Sequence, residues 1–111
     1  MEKWLLIGLS NCTDPSREED FNRWYDTVHV PDVLKTPGAL RATRFKNDEP
    51  QEGHWKYLAI YEVETEDIQR TTTILGEIIT ETMQKGLWSE LLSTDLYVAF
   101  YKQMAPPVEK K

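Results

Sequence analysis

The sequence predicts a single α+β domain with the element order β-α-β-β-α-β, on the strength of three observations. Four short runs of apolar and aromatic residues have the length of strands. Two stretches between them, one after the first run and one before the fourth, carry apolar residues at helical spacing. The 111 residues, 40% of them hydrophobic and 29% charged, suffice for about one folded domain.

The first strand and the first helix come from the N-terminal third of the chain. Residues 4–10 (WLLIGLS) form an apolar run with the length of a buried strand. Ser16 and Glu19 are spaced as in a capping box, which predicts that a helix begins there. Pro31 is expected to bend or restart this helix, because an interior proline lacks one backbone hydrogen bond. One face of the helix carries Phe21, Trp24, Tyr25, Val28 and His29.

Two strands follow the turn predicted at Pro37-Gly38. Residues 40–45 (LRATRF) predict the second strand, and residues 56–64 (KYLAIYEVE) predict the third, with a polar loop at 46–53. Because successive side chains of a strand point to opposite faces, the third strand collects a set of four residues on one face. These are Tyr57, Ala59, Tyr61 and Val63.

The C-terminal third supplies the second helix and the last strand. Residues 66–85 predict a helix that stops at Gly86, and residues 87–92 predict a short extra helical turn. Residues 96–101 (LYVAFY) predict the fourth strand. The predicted buried stripe of the long helix consists of Ile68, Thr72, Leu75, Ile79 and Met83.

This order is that of a ferredoxin-like fold, an antiparallel four-stranded sheet with helices on one face. The uncovered face of such a sheet should be polar, yet every predicted strand carries bulky apolar or aromatic side chains on both faces. The chain has no third layer to cover them. We therefore expect a homodimer in which a second copy of the sheet closes a barrel across a two-fold axis. Such a barrel leaves space for a small ligand between sheet and helices.

Composition limits the partners and the compartment. The net charge is −6, with thirteen basic residues scattered among nineteen acidic ones, which argues against nucleic acid and anionic membranes as partners. No stretch approaches the roughly 20 apolar residues of a membrane span. Cys12 is the single cysteine, so no intramolecular disulfide is expected and a cytoplasmic location is predicted. The predicted domain is 1–104, and 105–111 is expected to be a flexible tail.

One long segment resembles a known family. Residues 21–45 (FNRWYDTVHVPDVLKTPGALRATRF) resemble the dimeric α/β-barrel superfamily, especially its EthD-like and polyketide-cyclase-like members. Those proteins carry an aromatic-rich first helix ending in His-x-Pro, a Pro-Gly turn, and a strand ending in Arg-Phe or Arg-Tyr. The resemblance implies a cofactor-independent enzyme with a hydrophobic cyclic or polyketide-like substrate between helices and sheet. The superfamily also includes haem-dependent branches and ligand domains of transcription regulators.

His29 is the main catalytic candidate. It lies four residues after Tyr25, so the two share one helical face. A histidine near its reference pKa of about 6.5 takes or gives a proton at neutral pH. Trp24 and Tyr25 would supply apolar walls for a substrate. Asp32 could orient the imidazole, or cap the next helical turn. The structural alternative is a partly buried histidine that caps the broken helix before Pro31.

Five further side chains have both a functional and a structural interpretation. His54 is a second catalytic candidate, since muconolactone-isomerase-like members carry a histidine before the third strand; otherwise it is an exposed loop residue. Arg44 could bind a substrate carboxylate or enolate, or form a surface ion pair. Tyr61 and Tyr97 could line the pocket or the dimer seam. Trp88 could cover the cavity or pack in the core.

Several chemistries lack their residues in this sequence. It has no glycine-rich phosphate loop, and its two histidines and one cysteine are too widely spaced to predict a metal site. No cofactor is therefore predicted. The leading hypothesis is a homodimeric enzyme that cyclises, dehydrates or isomerises a small hydrophobic substrate, with His29 as proton shuttle. The alternatives are a cofactor-free monooxygenase of a phenolic substrate and a non-catalytic ligand-binding barrel.

Overall fold

The computed structural model describes residues 1–111 and has the predicted order of strands and helices. Its four strands form one antiparallel sheet with the order β2-β3-β1-β4, which confirms the ferredoxin-like fold. No helix is both long and apolar enough to cross a bilayer. The strands are β1 (Glu2–Ser10), β2 (Ala39–Lys46), β3 (Tyr57–Thr65) and β4 (Tyr97–Lys102).

The first helical segment is capped by Asp14, so the capping box predicted from Ser16 is wrong. The Asp14 carboxylate accepts hydrogen bonds from the backbone N and the Oγ of Ser16, at 3.0 and 2.7 Å. The chain then makes a 3₁₀ turn (Pro15–Arg17) and enters helix α1 (Glu18–Trp24). Both Asp14 and Ser16 are good N-cap residues, and the aspartate, which directly precedes the first proline, takes the position.

The part of the segment that carries His29 is wider than an α-helix. Tyr25–His29 is a π-helical turn, in which the Val30 N–H donates to the Tyr25 carbonyl five residues back. Helix α2 (Val30–Val33) follows, with Pro31 in its first turn. Since proline has no N–H for the preceding turn, the helix restarts here, as predicted.

The second helix, α3 (Ile68–Gln84), begins at the cap Asp67 and ends before Gly86. Gly86 has a φ of 72°, the left-handed conformation of a helix C-terminus, as the sequence predicted. The extra helical turn predicted at residues 87–92 is absent. That stretch runs as a loop, and a β-bridge joins Leu92 to the loop after β1.

The predicted stripe of α3 is only partly buried. Thr71 and Thr82 are the buried residues of this helix, whereas Thr72 and Met83 are exposed. The reason is that α3 stands off the sheet and borders a cavity, so the apolar residues of the stripe are not covered by a strand. Those that line the cavity are Leu75, Ile79 and Met83.

The core lies between the sheet and the first helical segment. Phe21 is fully buried there and meets Tyr57 with ring centroids 5.4 Å apart. The predicted alternation of β3 is confirmed, because its four inward residues are all at most 6% exposed. These are Tyr57, Ala59, Tyr61 and Val63.

The sheet face opposite the helices carries many apolar side chains, as the sequence predicted, with the Arg41–Glu62 ion pair beside them. Leu5 pairs with Tyr101 on β4, and Ile7 pairs with Ile60 on β3, so their side chains share this face. Leu5, Phe45 and Tyr101 are 38%, 50% and 51% exposed. We call the apolar part of this surface the outer face; it consists of Leu5, Ile7, Phe45, Leu58, Ile60, Tyr97, Ala99 and Tyr101.

Candidate functional site

A cavity of about 330 Å³ lies between the sheet and the helices, and His29 is part of its wall. Twelve of its fifteen lining residues are hydrophobic, and none is Asp, Glu, Lys or Arg. Strands β1 and β4 form its floor and α3 its far wall. A depression of about 400 Å³ at the opposite end of β1 is bordered by charged residues, among them Lys3, Arg41 and Glu62, and contains no histidine. The apolar cavity is therefore the candidate site.

The His29 imidazole is surrounded by three aromatic rings. It stacks on Trp24, with centroids 5.3 Å apart and planes at 19°, and it meets the edge of Trp88 at 5.4 Å. The Tyr25 ring lies at 4.7 Å in a T-shaped arrangement. The wide turn at Tyr25–His29 thus presents the imidazole to the cavity from within an aromatic wall.

Burial changes the protonation of His29. It lowers the pKa of the imidazole to about 4, because the charged form loses its hydration among apolar rings. The negative charge of Asp32 opposes this shift, and the positive charge of Arg44 adds to it. The imidazole is therefore neutral at pH 7, whereas a histidine with the reference pKa of about 6.5 would be partly protonated there.

Trp24 and Trp88 act together around His29. The Trp24 indole N–H donates to the Leu87 carbonyl at 2.8 Å, and its ring meets Trp88 edge to face at 5.4 Å. This hydrogen bond ties the loop after α3 to α1. As a result Trp88 lines the cavity beside His29, while Trp24 supports the imidazole from behind.

Three hydroxyls meet at the sheet side of the cavity, and we call Ser10, Tyr25 and Tyr61 the hydroxyl cluster. Tyr25 lies over Gly8, since a Cβ placed on Gly8 would be 3.7 Å from the Tyr25 hydroxyl. The hydroxyls of Ser10 and Tyr61 both neighbour the Tyr25 phenol. Burial raises the pKa of both tyrosines, so their hydroxyls stay protonated at neutral pH.

Two members of the hydroxyl cluster are buried without a hydrogen-bond partner. They are the Ser10 Oγ and the Tyr61 hydroxyl, on residues that are 4% and 2% exposed. A buried polar group in this state costs roughly 1–3 kcal/mol, so native proteins rarely leave one unpaired. The Tyr25 phenol lies beside both oxygens, and each hydroxyl keeps capacity for a further hydrogen bond to a group that enters the cavity.

Arg44 lies outside the cavity wall. Its guanidinium carbon is 4.1 Å from the centroid of the Tyr25 ring, and its nitrogens donate to Asp26 and Asn22, both at 2.9 Å. These contacts hold Tyr25 in place rather than reach into the cavity. The ion-pair interpretation of Arg44 fits this placement better than direct contact with a substrate.

His54 and Asp32 are not brought into contact with the His29 imidazole. His54 is exposed in the loop between β2 and β3 and is absent from the cavity lining. The Asp32 carboxylate accepts hydrogen bonds from Lys35, at 2.9 Å, and from the Thr82 hydroxyl, which links α2 to α3. Asp32 therefore acts on His29 through its charge, and its hydrogen bonds go to Lys35 and Thr82 instead of the imidazole.

Sequence reasoning missed Ser10 and Gly8. Both lie on β1 in phase with the buried Leu6, at every second residue, and all three line the cavity. The period of the strand was therefore a signal that could have found them. Tyr25, Tyr61, Trp88 and His29 were proposed as site residues and do line the cavity.

Two sequence comparisons give matches for this chain. Residues 10–111 match the family described as a domain of unknown function, DUF4286. A 61-residue segment is 39% identical to core atranone cluster (CAC) protein 1 of Stachybotrys chlorohalonatus (strain IBT 40285). That segment covers 54% of this chain and 26% of the relative, so the match spans about a quarter of the relative's length.

Solved structures share the fold at low sequence identity. A dimeric ferredoxin-like protein from an uncultured marine organism superposes with a TM-score of 0.68 at 10% identity, covering 96% of this chain and 100% of its own. An EthD family protein from Bacillus halodurans gives 0.59 at 16%, covering 94% and 100%. A provisionally assigned monooxygenase from Shewanella loihica gives 0.60 at 15%, covering 96% and 99%. These similarities support the ferredoxin-like fold that the order of strands and helices predicts.

Proposed function

The chain belongs to the DUF4286 family, and from that premise and its cavity we propose that it is a small proton-transfer enzyme. The substrate is a small hydrophobic cyclic or polyketide-like molecule held between sheet and helices. The reaction is a cyclisation, dehydration or isomerisation in which His29 shuttles the proton. One observation carries the proposal: a neutral imidazole lines an apolar cavity that has no other titrating group of near-neutral pKa.

The chemistry follows from the surroundings of His29. A neutral imidazole accepts a proton from an acidic C–H or O–H of the substrate, which leaves an anion on the substrate and a cation on His29. In an apolar cavity this ion pair is not screened by water, so the attraction between the two charges offsets the low pKa of the imidazole. Return of the proton to a different substrate atom completes an isomerisation. Return to a departing hydroxyl releases water.

A second copy of the chain is part of the proposal. The outer face is apolar and exposed, and the marine structure that shares the fold is described as dimeric. Pairing of two outer faces would bury leucine, isoleucine and tyrosine side chains from both copies. That the enzyme works without a cofactor stays a prediction from the sequence.

The second candidate is a monooxygenase, favoured by the fold shared with the Shewanella protein. In this version His29 deprotonates a phenol, and the phenolate reacts directly with molecular oxygen. One oxygen atom enters the ring to give a quinone, the other leaves as water, and the phenol supplies all four electrons. Oxygen consumption during turnover separates this version from the first.

Proton abstraction is testable without the natural substrate. The ketone 2-tetralone is small, apolar and cyclic, and its acidic C–H positions exchange with D₂O at a rate that proton NMR follows. We expect the protein to accelerate this exchange and the His29→Gln variant to lose the acceleration. His54→Gln is the matched control, since it removes a histidine outside the cavity. A His29→Gln variant as fast as the parent contradicts the proposal, and binding without exchange favours the non-catalytic barrel.

A further inference from the structure

Resting on the proposed function, we infer that the cavity selects an uncharged ligand bearing a carbonyl oxygen, which the hydroxyls of Ser10 and Tyr61 bind. The two hydroxyls are the anchor for the ligand, and the apolar walls hold its hydrocarbon part. Tyr25 neighbours both the two hydroxyls and the imidazole of His29. A carbonyl bound by the hydroxyls would therefore lie close to the imidazole that accepts the proton.

The unpaired state of the two hydroxyls points to a ligand. The structure contains three buried side-chain oxygens without a hydrogen-bond partner, and two of them belong to one small cavity. The third, Thr36 Oγ1, lies away from the cavity lining. Since buried polar groups are almost always paired, the coincidence of Ser10 and Tyr61 indicates an oxygen or nitrogen atom supplied from outside the chain.

The type of oxygen follows from what the two groups donate. Both are O–H groups, and burial keeps Tyr61 protonated because it raises the pKa of the phenol. A carbonyl oxygen has two lone pairs and accepts from both. When His29 removes a proton next to the carbonyl, negative charge develops on this oxygen, and the same two donors stabilise it.

The lining also excludes charged ligands. No lysine or arginine lines the cavity, and the guanidinium of Arg44 is held by Asp26 and Asn22 outside it. A carboxylate in this place would lose its hydration without gaining a cationic partner. The selection is therefore for a ketone, ester or quinone-like group rather than for an acid.

Three naphthalene derivatives of similar shape test the inference: 2-acetylnaphthalene, 2-ethylnaphthalene and 2-naphthoate. They carry a carbonyl, no oxygen and a carboxylate, and binding to the full chain is followed by ¹H–¹⁵N NMR at pH 7. We expect the ketone to bind about tenfold more tightly than the ethyl compound, because it gains two hydrogen bonds, and the carboxylate not to bind. Tyr61→Phe and Ser10→Ala should each reduce the preference for the ketone, whereas Thr36→Val, the control, should keep it.

The outcomes distinguish the inference from the function on which it rests. Equal affinity for the ketone and the ethyl compound overturns the inference, because the two hydroxyls would then bind water rather than the ligand. The cavity would still be a site for apolar ligands. Unchanged preference in Tyr61→Phe and Ser10→Ala overturns it as well. Binding of none of the three compounds overturns both. A preserved ketone preference together with an unaffected His29→Gln exchange rate refutes the catalytic role and leaves the binding inference intact.

Discussion

The imidazole of His29 lies nearly parallel to the indole of Trp24, with ring centroids 5.3 Å apart and planes at 19°. The indole is fixed in turn by its hydrogen bond to the Leu87 carbonyl, at 2.8 Å. One face of the imidazole is therefore closed to water, and the loop with Trp88 is held beside it. This arrangement links the first helical segment and the loop after α3 to the protonation state of His29.

Replacement of Trp24 by leucine should loosen this arrangement. The variant loses the stacked ring and the hydrogen bond to Leu87, so water reaches His29 and its pKa should rise from about 4 toward the reference value. We expect the free energy of unfolding to fall by roughly 2–3 kcal/mol. Titration of the His29 ring protons by NMR measures this pKa. A His29 pKa still near 4 would show that Trp24 does not shield the imidazole.

Stability should depend on pH through His29. In the unfolded chain its pKa is near the reference 6.5, whereas burial lowers it to about 4 in the folded state. Between these values the unfolded state binds more protons, so acidification favours unfolding, and this contribution is fully lost only below pH 4. Lowering the pH from 7 to 4.5 should therefore cost about 2 kcal/mol through this group.

Urea unfolding at the two pH values measures the effect. The control comparison is between the parent, His29→Gln and His54→Gln, because carboxylates such as Glu18, whose pKa is lowered by Lys56, also contribute to acid sensitivity in all three. The difference between pH 7 and 4.5 should shrink in His29→Gln and stay unchanged in His54→Gln. Equal losses in all three proteins would assign the pH dependence to other groups.

Assembly should depend on the outer face. The chain mass is 13.0 kDa, and light scattering after size-exclusion chromatography should give about twice this value for the parent. Leu5→Lys places an ammonium within the proposed contact and should give the monomer mass. Leu34→Lys is a matched control, since Leu34 is 36% exposed against 38% for Leu5 but lies at the end of α2. A monomeric parent at micromolar concentration would rule out the barrel.

The sequence by itself determined the order of the strands and of the two main helical segments, and which faces the strands present. The alternation in β3 placed Tyr57 and Tyr61 on the buried face, because the side-chain period of a strand is two whatever the strand packs against. Helical spacing likewise put Tyr25 and His29 on one face. The apolar residues of the outer face were visible for the same reason. Local geometry alone carries these predictions.

The tertiary structure decided which residues, remote in sequence, each candidate site residue contacts. Ser10 on β1 and Tyr61 on β3 both neighbour the Tyr25 phenol only because the two strands pair beneath it. Arg44 binds Asp26, and His54 is exposed to solvent. The spacing of these residues along the sequence predicts neither outcome. The pKa of His29 depends on how much water its neighbours exclude. Local periodicity thus fixes the face to which a side chain points. Its contacts and its exposure to water arise from packing between segments remote in sequence.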